Sequence, residues 1–336
     1  MNEQPWDVIV IGGGAAGLSA ALLLGRARRR VLVVDAGSPR NRLARHMHGV
    51  LGNEGLAPTE LYARGRVEVA GYGVRFRDGR VERLDETGNA ITVTLADGEA
   101  TAARAAIVAT GLTDELADIP GLADRWGETV LHCPYCHGWE VRDRHLGVLT
   151  TSPLGRHQAE LVRQWSDKVT VFTAGLGDLD SDTEHRLRSR GIGLVPTPVV
   201  EVTSGQANSL LLRTDDQAEY RVDALFTAGT PRPHDGFLAH LELDRATTPF
   251  GDFLAVDPAG RTSAERVWAV GNVVNPGANV PMAIGAGAMT GGAVNAALVT
   301  WDFDQAVATA DSRSDKGRAG SVAQPPNDQL PEGDVP

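Results

Sequence analysis

Asp7-Val8-Ile9-Val10-Ile11-Gly12-Gly13-Gly14-Ala15-Ala16-Gly17 is the run that decides the fold. Its apolar half reads as a buried strand, and Leu18 to Gly25 continue as a helix. Gly12, Gly14 and Gly17 fall at the G-x-G-x-x-G positions between them, and a second apolar run, Val31 to Val34, ends at Asp35, 18 places after Gly17. Strand, glycine turn, helix, strand and acid in this order make a dinucleotide-binding unit. The glycines allow a tight turn and close backbone approach to a pyrophosphate at the helix N-terminus, and Asp35 can accept hydrogen bonds from a ribose.

Further along, residues 74–104 read as alternating strands with Asp-Gly turns at Asp78-Gly79 and Asp97-Gly98, a meander. They lead to a strand ending in Ala109-Thr110-Gly111. Near the other end Val267-Trp268-Ala269-Val270-Gly271-Asn272 is again strand then glycine, and Pro281 to Thr300 reads as a long Ala/Gly-rich helix. Between these outer pieces lies a second strand–helix–strand pattern: Val148–Thr151, His157–Trp165, Val169–Thr173 and Ile192–Val195. The fold class expected is therefore α/β, with two Rossmann-like doubly wound domains. Residues 1–113 and 232–310 form the first, and 114–231 are inserted into it. Asp118-Ile119-Pro120-Gly121 and Gly229-Thr230-Pro231-Arg232-Pro233 are the expected hinges. Polar composition after residue 310 predicts a disordered tail over 311–336.

At 336 residues with 42% hydrophobic content the chain has room for two ordinary cores. A net charge of -11 argues against nucleic acid. The cluster Arg26, Arg28, Arg29 and Arg30 ends a predicted helix, where cations favour the helix dipole, and reads as a solvated face. The first strand begins by Val8, leaving no room for a signal peptide, and no run reaches the ~20 apolar residues of a membrane span. A cytoplasmic protein without membrane partners is expected.

Both cysteines of the chain lie in Cys133-Pro134-Tyr135-Cys136-His137-Gly138-Trp139-Glu140. Two thiols separated by two residues can close into a disulfide without backbone rearrangement, and flanking His132 and His137 can lower a thiol pKa or carry its proton. A zinc site would need two further ligands at suitable spacing, and no second Cys pair exists, so no metal is expected. In a reducing compartment such a pair is catalytic more often than structural.

Taken together, the N-terminal fingerprint, the Ala-Thr-Gly strand, the inserted Cys-x-x-Cys unit and the late Val-Trp-Ala-Val-Gly-Asn strand resemble the low-molecular-weight thioredoxin reductases over about residues 5–305. That resemblance implies a homodimer whose outer domain holds FAD. Carried over by position, Gly12, Gly14 and Gly17, with Ala15 and Ala16, meet the FAD pyrophosphate. Asp35 and Ala36 meet its ribose, and Gly271-Asn272 the ribityl-phosphate side, with Asn272 where the family usually has Asp. Arg40, His48, Val81, Ala109, Thr110, Gly111, Asn279 and Val280 are the remaining cofactor positions. The helix after Val280 aims its N-terminus at the flavin N1/C2 edge.

Departures from the family carry the functional reading. Its nicotinamide-nucleotide turn, G-G-G-x-x-A, becomes Thr150-Thr151-Ser152-Pro153-Leu154-Gly155, and its 2′-phosphate clamp, H-R-R, falls on Thr173-Ala174-Gly175. Its C-A-T-C-D becomes Cys133-Pro134-Tyr135-Cys136-His137. This set is similar to the flavin-dependent dithiol oxidases that close disulfides in natural products such as gliotoxin, holomycin and romidepsin; the Met47-His48-Gly49 segment is similar as well. The resemblance implies an antibiotic-biosynthesis enzyme passing electrons from a small-molecule dithiol to the Cys133–Cys136 disulfide, to FAD and to O2, giving H2O2. Cys133 is then the interchange thiol, Cys136 lies against the flavin, and His137, helped by His132, transfers protons. An NAD(P)H-dependent disulfide reductase and a redox-sensing flavoprotein without turnover remain the alternatives.

Overall fold

The computed structural model describes residues 5–152 and 155–319. β1 (Trp6–Ile11), α1 (Ala15–Arg26) and β2 (Val31–Asp35) form the expected strand–helix–strand unit. α2 (Pro58–Ala70) follows, then β3 (Arg75–Asp78), β4 (Val81–Thr87), β5 (Ala90–Leu95) and β6 (Ala100–Val108). These strands build a sheet of order β3-β2-β1-β6-β5-β4. β1, β2, β3 and β6 run parallel, and β4 and β5 are antiparallel additions. The meander is thus corrected at its first strand. β3 pairs with β2 and not with β4, so Asp78-Gly79 is no hairpin turn, and the β4–β5 connection falls at Gly88-Asn89. A short run ending in Asp-Gly is drawn into the parallel sheet because Phe76 can align beside Val33.

β7 (Leu112–Glu115), β8 (Val130–Leu131), α3 (Pro134–His137), β9 (Leu146–Leu149), α4 (Gly155–Val162), β10 (Val169–Phe172), α5 (Ser181–Arg188) and β11 (Gly193–Val195) come next. An antiparallel trio follows, β12 (Val199–Ser204), β13 (Leu210–Thr214) and β14 (Glu219–Val222), and then β15 (Ala224–Thr227) and β16 (Thr230–Pro233). The second sheet is wholly parallel, in the order β11-β10-β9-β15-β8. Both sheets share the pattern in which one strand, β1 in the first and β9 in the second, has its successor on one side and a later strand on the other. That switch point opens a crevice beyond the strand C-termini.

The two expected hinges behave differently. Thr230–Pro233 pairs antiparallel with β7, so the chain leaves and re-enters the first sheet through a two-stranded ribbon. Residues 118–121 are tied to β12, where Pro120 O accepts the Val202 N–H and Gly121 packs on the Val202 carbonyl.

The hairpin β17 (Arg245–Thr248) and β18 (Gly251–Leu254) precedes β19 (Val267–Ala269), which completes the first sheet by pairing with the end of β6. Ile9, Leu84, Ile91, Ala106 and Val267, all fully buried, anchor the core beneath it. The described residues end in α6 (Val280–Ala319). Residues up to Val294 belong to one compact unit and Asn295 onward to another.

α6 corrects two expectations. Residues 311–319 continue the helix, Asp311 to Ala319 containing no proline to stop it; residues 320–336 lie outside those described. Val280–Arg313 is also long and apolar enough to cross a membrane by length and composition. Its small residues have a packing task in the first unit. A Cβ on Gly287 would meet the Ala16 carbonyl oxygen at 2.2 Å, and one on Gly291 the Ala20 carbonyl oxygen at 2.7 Å.

Candidate active site

A cavity of about 950 Å³ opens at the switch point of the first sheet. Every residue expected to hold the cofactor lines it except Gly17. Gly17 works from behind: a Cβ there would lie 1.9 Å from the Gly12 carbonyl oxygen, and one on Gly12 would lie 2.3 Å from that of Ala109. The first two glycine-turn contacts therefore pull the loop onto β6. Gly14 faces open space, as the glycine nearest a pyrophosphate should. Asp35 is held in place: Oδ1 accepts the N–H groups of Gly13 (3.1 Å) and Gly37 (3.2 Å), and Oδ2 pairs with Arg66 at 2.9 Å.

Beside the glycine turn the Thr110 hydroxyl is buried without a hydrogen-bond partner. An orphaned hydroxyl at such a place calls for a ligand atom. The N-terminus of α6 is capped by Asn279, whose Oδ1 accepts the Met282 N–H at 3.2 Å. Asn272 directs its side-chain N–H groups at the carbonyls of Asn275 (3.0 Å) and Ala278 (2.9 Å). An Asp could not donate there, which gives the family departure a local reason. Arg40 makes a two-point contact to Asp114, both at 2.7 Å, so its charge is committed within the protein.

Cys133 and Cys136 line the same cavity, joined as a disulfide with Cα atoms 5.2 Å apart. Cys133 precedes α3, Pro134 opens it, and Cys136 lies within it. Gly138 is required behind: a Cβ there would strike the Trp165 ring at 2.7 Å, and Tyr135 stacks edge-on against the same ring. His137 and His132 line the cavity too. Burial holds both imidazoles below the ordinary 6.5; the charge of His48 lowers His137 further while Glu140 opposes it, and Arg40 lowers His132 further. Both are therefore neutral bases at neutral pH. His48 stands edge-on to His137, ring centroids 6.4 Å apart.

Beyond β9, where a nicotinamide nucleotide would be cradled, Thr150 donates its hydroxyl hydrogen to Phe172 O and Thr151 to Ala228 O, both at 2.8 Å. Pro153 and Leu154 lie outside the described residues. Gly175 presses on this turn so closely that a Cβ would sit 2.1 Å from the Thr150 carbonyl oxygen. Thr173 is buried, and no cation stands at Thr173-Ala174-Gly175.

Residues 6–291 match the family described as pyridine nucleotide-disulphide oxidoreductase. The chain belongs to that family. Among pyridine nucleotide-disulphide oxidoreductases it is similar to thioredoxin reductase tcpT of Claviceps purpurea (strain 20.1), 30% identical over 296 residues that cover 85% of this chain and 92% of that one. Thioredoxin reductase sirT of Leptosphaeria maculans is 30% identical over 314 residues, 86% and 93% of the two chains. The crystal structure of HlmI superposes with a TM-score of 0.88 at 42% identity, over 94% of this chain and 99% of HlmI. The fold is thioredoxin reductase-like and the protein an oxidoreductase. Pyridine nucleotide-disulphide oxidoreductases of this fold bind FAD. The open face of Gly14, the orphaned Thr110 hydroxyl and the two helix N-termini fit that group.

The sequence reading missed Arg66, Glu54 and Glu140. Arg66 lines the cavity from α2 and stacks over Phe76 at 4.6 Å. Glu54 and Glu140 bracket His48, at 2.6 Å from Nδ1 and 3.6 Å from Nε2. Arg66 and Glu54 stand in segments without motif spacing, and only the closed fold brings them to the site.

Proposed function

We infer that this protein is an FAD-dependent dithiol oxidase, closing a disulfide in a small-molecule dithiol of the natural-product type, as in antibiotic biosynthesis, with O2 as acceptor and H2O2 as by-product. One juxtaposition supports the reading: the Cys133–Cys136 disulfide and the neutral base His137 face the flavin-sized cavity, while the second nucleotide turn carries Thr150, Thr151 and Ser152 in place of glycines and no cation follows at Thr173-Ala174-Gly175. We assign the FAD domain to residues 1–113 and 232–310 and the Cys-bearing insertion to 114–231. The protein works as a cytoplasmic homodimer, with α6 a packed helix and no membrane or nucleic-acid partner.

His137 takes a proton from a substrate thiol, and the thiolate attacks Cys133 Sγ. The Cys133–Cys136 bond breaks and Cys136 leaves as thiolate. The second substrate thiol gives its proton to a neutral imidazole of the cavity and attacks the substrate sulfur of the mixed disulfide, so the substrate disulfide forms and Cys133 leaves as thiolate. Half-buried His132 supports the charge balance beside Cys133. Bound FAD supplies the acceptor for the two electrons and the reactivity with O2. Tyr135 and Trp139, both exposed beside the disulfide, offer aromatic surface to a substrate scaffold.

Anaerobic mixing with NADPH, NADH and dithiothreitol in parallel tests this reading against the reductase named in tcpT and sirT. Dithiothreitol should bleach the flavin and neither nucleotide should. In air, H2O2 should equal disulfide formed. Rapid bleaching by NADPH returns the protein to the reductases, and bleaching by dithiols without reoxidation in air makes it a sensor.

A further inference from the structure

Oxidising a dithiol removes two protons from the substrate, and a single neutral imidazole can hold one. Besides His132, a further imidazole, His48, stands in the same cavity, edge-on to His137. His48 lies on the loop Met47–Leu56, which closes on itself through Met47 N to Leu56 O (3.0 Å), Gly55 N to Met47 O (3.0 Å) and Asn53 N to Val50 O (2.8 Å). That closure returns Glu54 to the base of the loop. Its Oε1 lies 2.6 Å from His48 Nδ1, and its Oε2 accepts the Gly49 N–H at 2.8 Å. These contacts hold the Glu54 carboxyl below the ordinary carboxylate range, His48 first and the Gly49 N–H second.

A carboxylate only accepts hydrogen bonds, so Nδ1 of His48 carries the hydrogen and Nε2 is left as the basic nitrogen. Nε2 faces Glu140 Oε1 at 3.6 Å, and Glu140 is also close enough to His137 to raise its basicity. The charged and titratable groups around His48 are thus Glu54 from its own loop and His137 and Glu140 from the cysteine segment. His48 has 19% of its side chain exposed and Glu54 64%, so the set runs from the disulfide out to water. Among the described residues no three His, Cys, Asp or Glu side chains converge as a metal set.

We propose that Glu54 is a positioning residue that fixes His48 as a second proton acceptor for the disulfide centre. The inference rests on the dithiol-oxidase reading. When the first substrate thiol attacks Cys133 Sγ, its proton goes to His137 and Cys136 leaves as thiolate. The proton then passes by way of the Glu140 carboxylate to His48 Nε2, and His137 is neutral again for the second thiol. That thiol closes the substrate disulfide and expels Cys133. The two protons held on His48 and His137 balance the two cysteine sulfurs released as thiolates. No other reactant is needed.

The test uses the FAD-loaded protein under anaerobic conditions, with dithiothreitol as probe between pH 5.5 and 8.5. Flavin absorbance is followed by stopped flow, and alkylation of Cys133 and Cys136 in quenched samples counts disulfides opened. Glu54→Gln keeps an acceptor for Nδ1 and removes the charge. It should slow disulfide opening about tenfold, the scale of one charge-assisted hydrogen bond, with flavin content unchanged. The acid limb of its rate profile should move to lower pH, because protonated His48 loses its counter-charge. Glu54→Asp should recover part of the rate. His48→Gln should be at least as slow, and the double variant no slower than His48→Gln alone. Wild-type rate and limb in Glu54→Gln, or losses that multiply in the double variant, would overturn the proposal. A wild-type protein whose disulfide dithiothreitol does not open overturns the dithiol-oxidase reading instead.

Discussion

Cys133 precedes α3 and Cys136 lies inside it, so the two sulfurs of one disulfide have different neighbours. Substituting either by Ser should abolish disulfide formation in the substrate while leaving fold and flavin in place. Cys133→Ser should keep a thiolate at Cys136 able to give a charge-transfer band with the flavin, and Cys136→Ser should not; equal spectra would void the assignment. His137→Ala should slow dithiol oxidation by roughly 10²–10⁴-fold, measured by oxygen uptake, with little change in thermal stability. Burial depresses both His132 and His137, so the native state declines protons that the unfolded chain accepts below about 6.5. Their neutral forms cost the fold nothing above that pH. As pH falls below it, stability is lost until the depressed native values are passed. His132→Gln should flatten the fall in Tm between about pH 7 and 5, and parallel curves would show that burial is not the cause. The thiols, His132 and His137 were legible because each lies in one short segment whose spacing has chemical meaning. Glu54 and Arg66 were not, since their partners lie across a loop closure or on another element, which spacing does not encode.

The strand–glycine–helix start was legible for a similar reason: its contacts are local, and Gly12 against Ala109 merely anchors it to the next parallel strand. β3 misled because Asp78-Gly79 carries turn chemistry whichever strand its neighbours pair with. α5 was overlooked although it carries a start signal, Asp180, whose Oδ1 accepts the Thr183 N–H at 2.6 Å. The β10 tip and the turn after β9 support one another, Gly175 lying against the Thr150 carbonyl. Gly175→Arg puts a cation where the family holds a 2′-phosphate, yet the side chain must first displace the Thr150 carbonyl. The expected result is a loss of about 1–3 kcal/mol in stability and no gain in NADPH affinity, read by thermal unfolding with and without the nucleotide. NADPH-dependent stabilisation of this variant would show that the turn is open.

For the whole molecule, the cavity between β1, β2, β6 and α6 predicts that FAD binds the folded state alone. Adding FAD to stripped protein at a hundredfold excess over Kd should stabilise it by about 2.7 kcal/mol, visible as a rise in Tm. A colourless protein that takes up no FAD would remove the basis of the functional reading. The architecture itself was legible as far as two doubly wound halves, because strand and helix periods repeat in both. The extension of α6 through residue 319 was not, since polar helix and polar tail share a composition. The turn against which Gly175 lodges has a consequence for traffic through the protein. On the dithiol-oxidase reading, a protein of this fold whose second nucleotide turn lacks the glycines and the phosphate clamp acts as a rectifier. On that reading, flow runs from thiols inward, and a pool of reduced nicotinamide has no route by which to reopen the product.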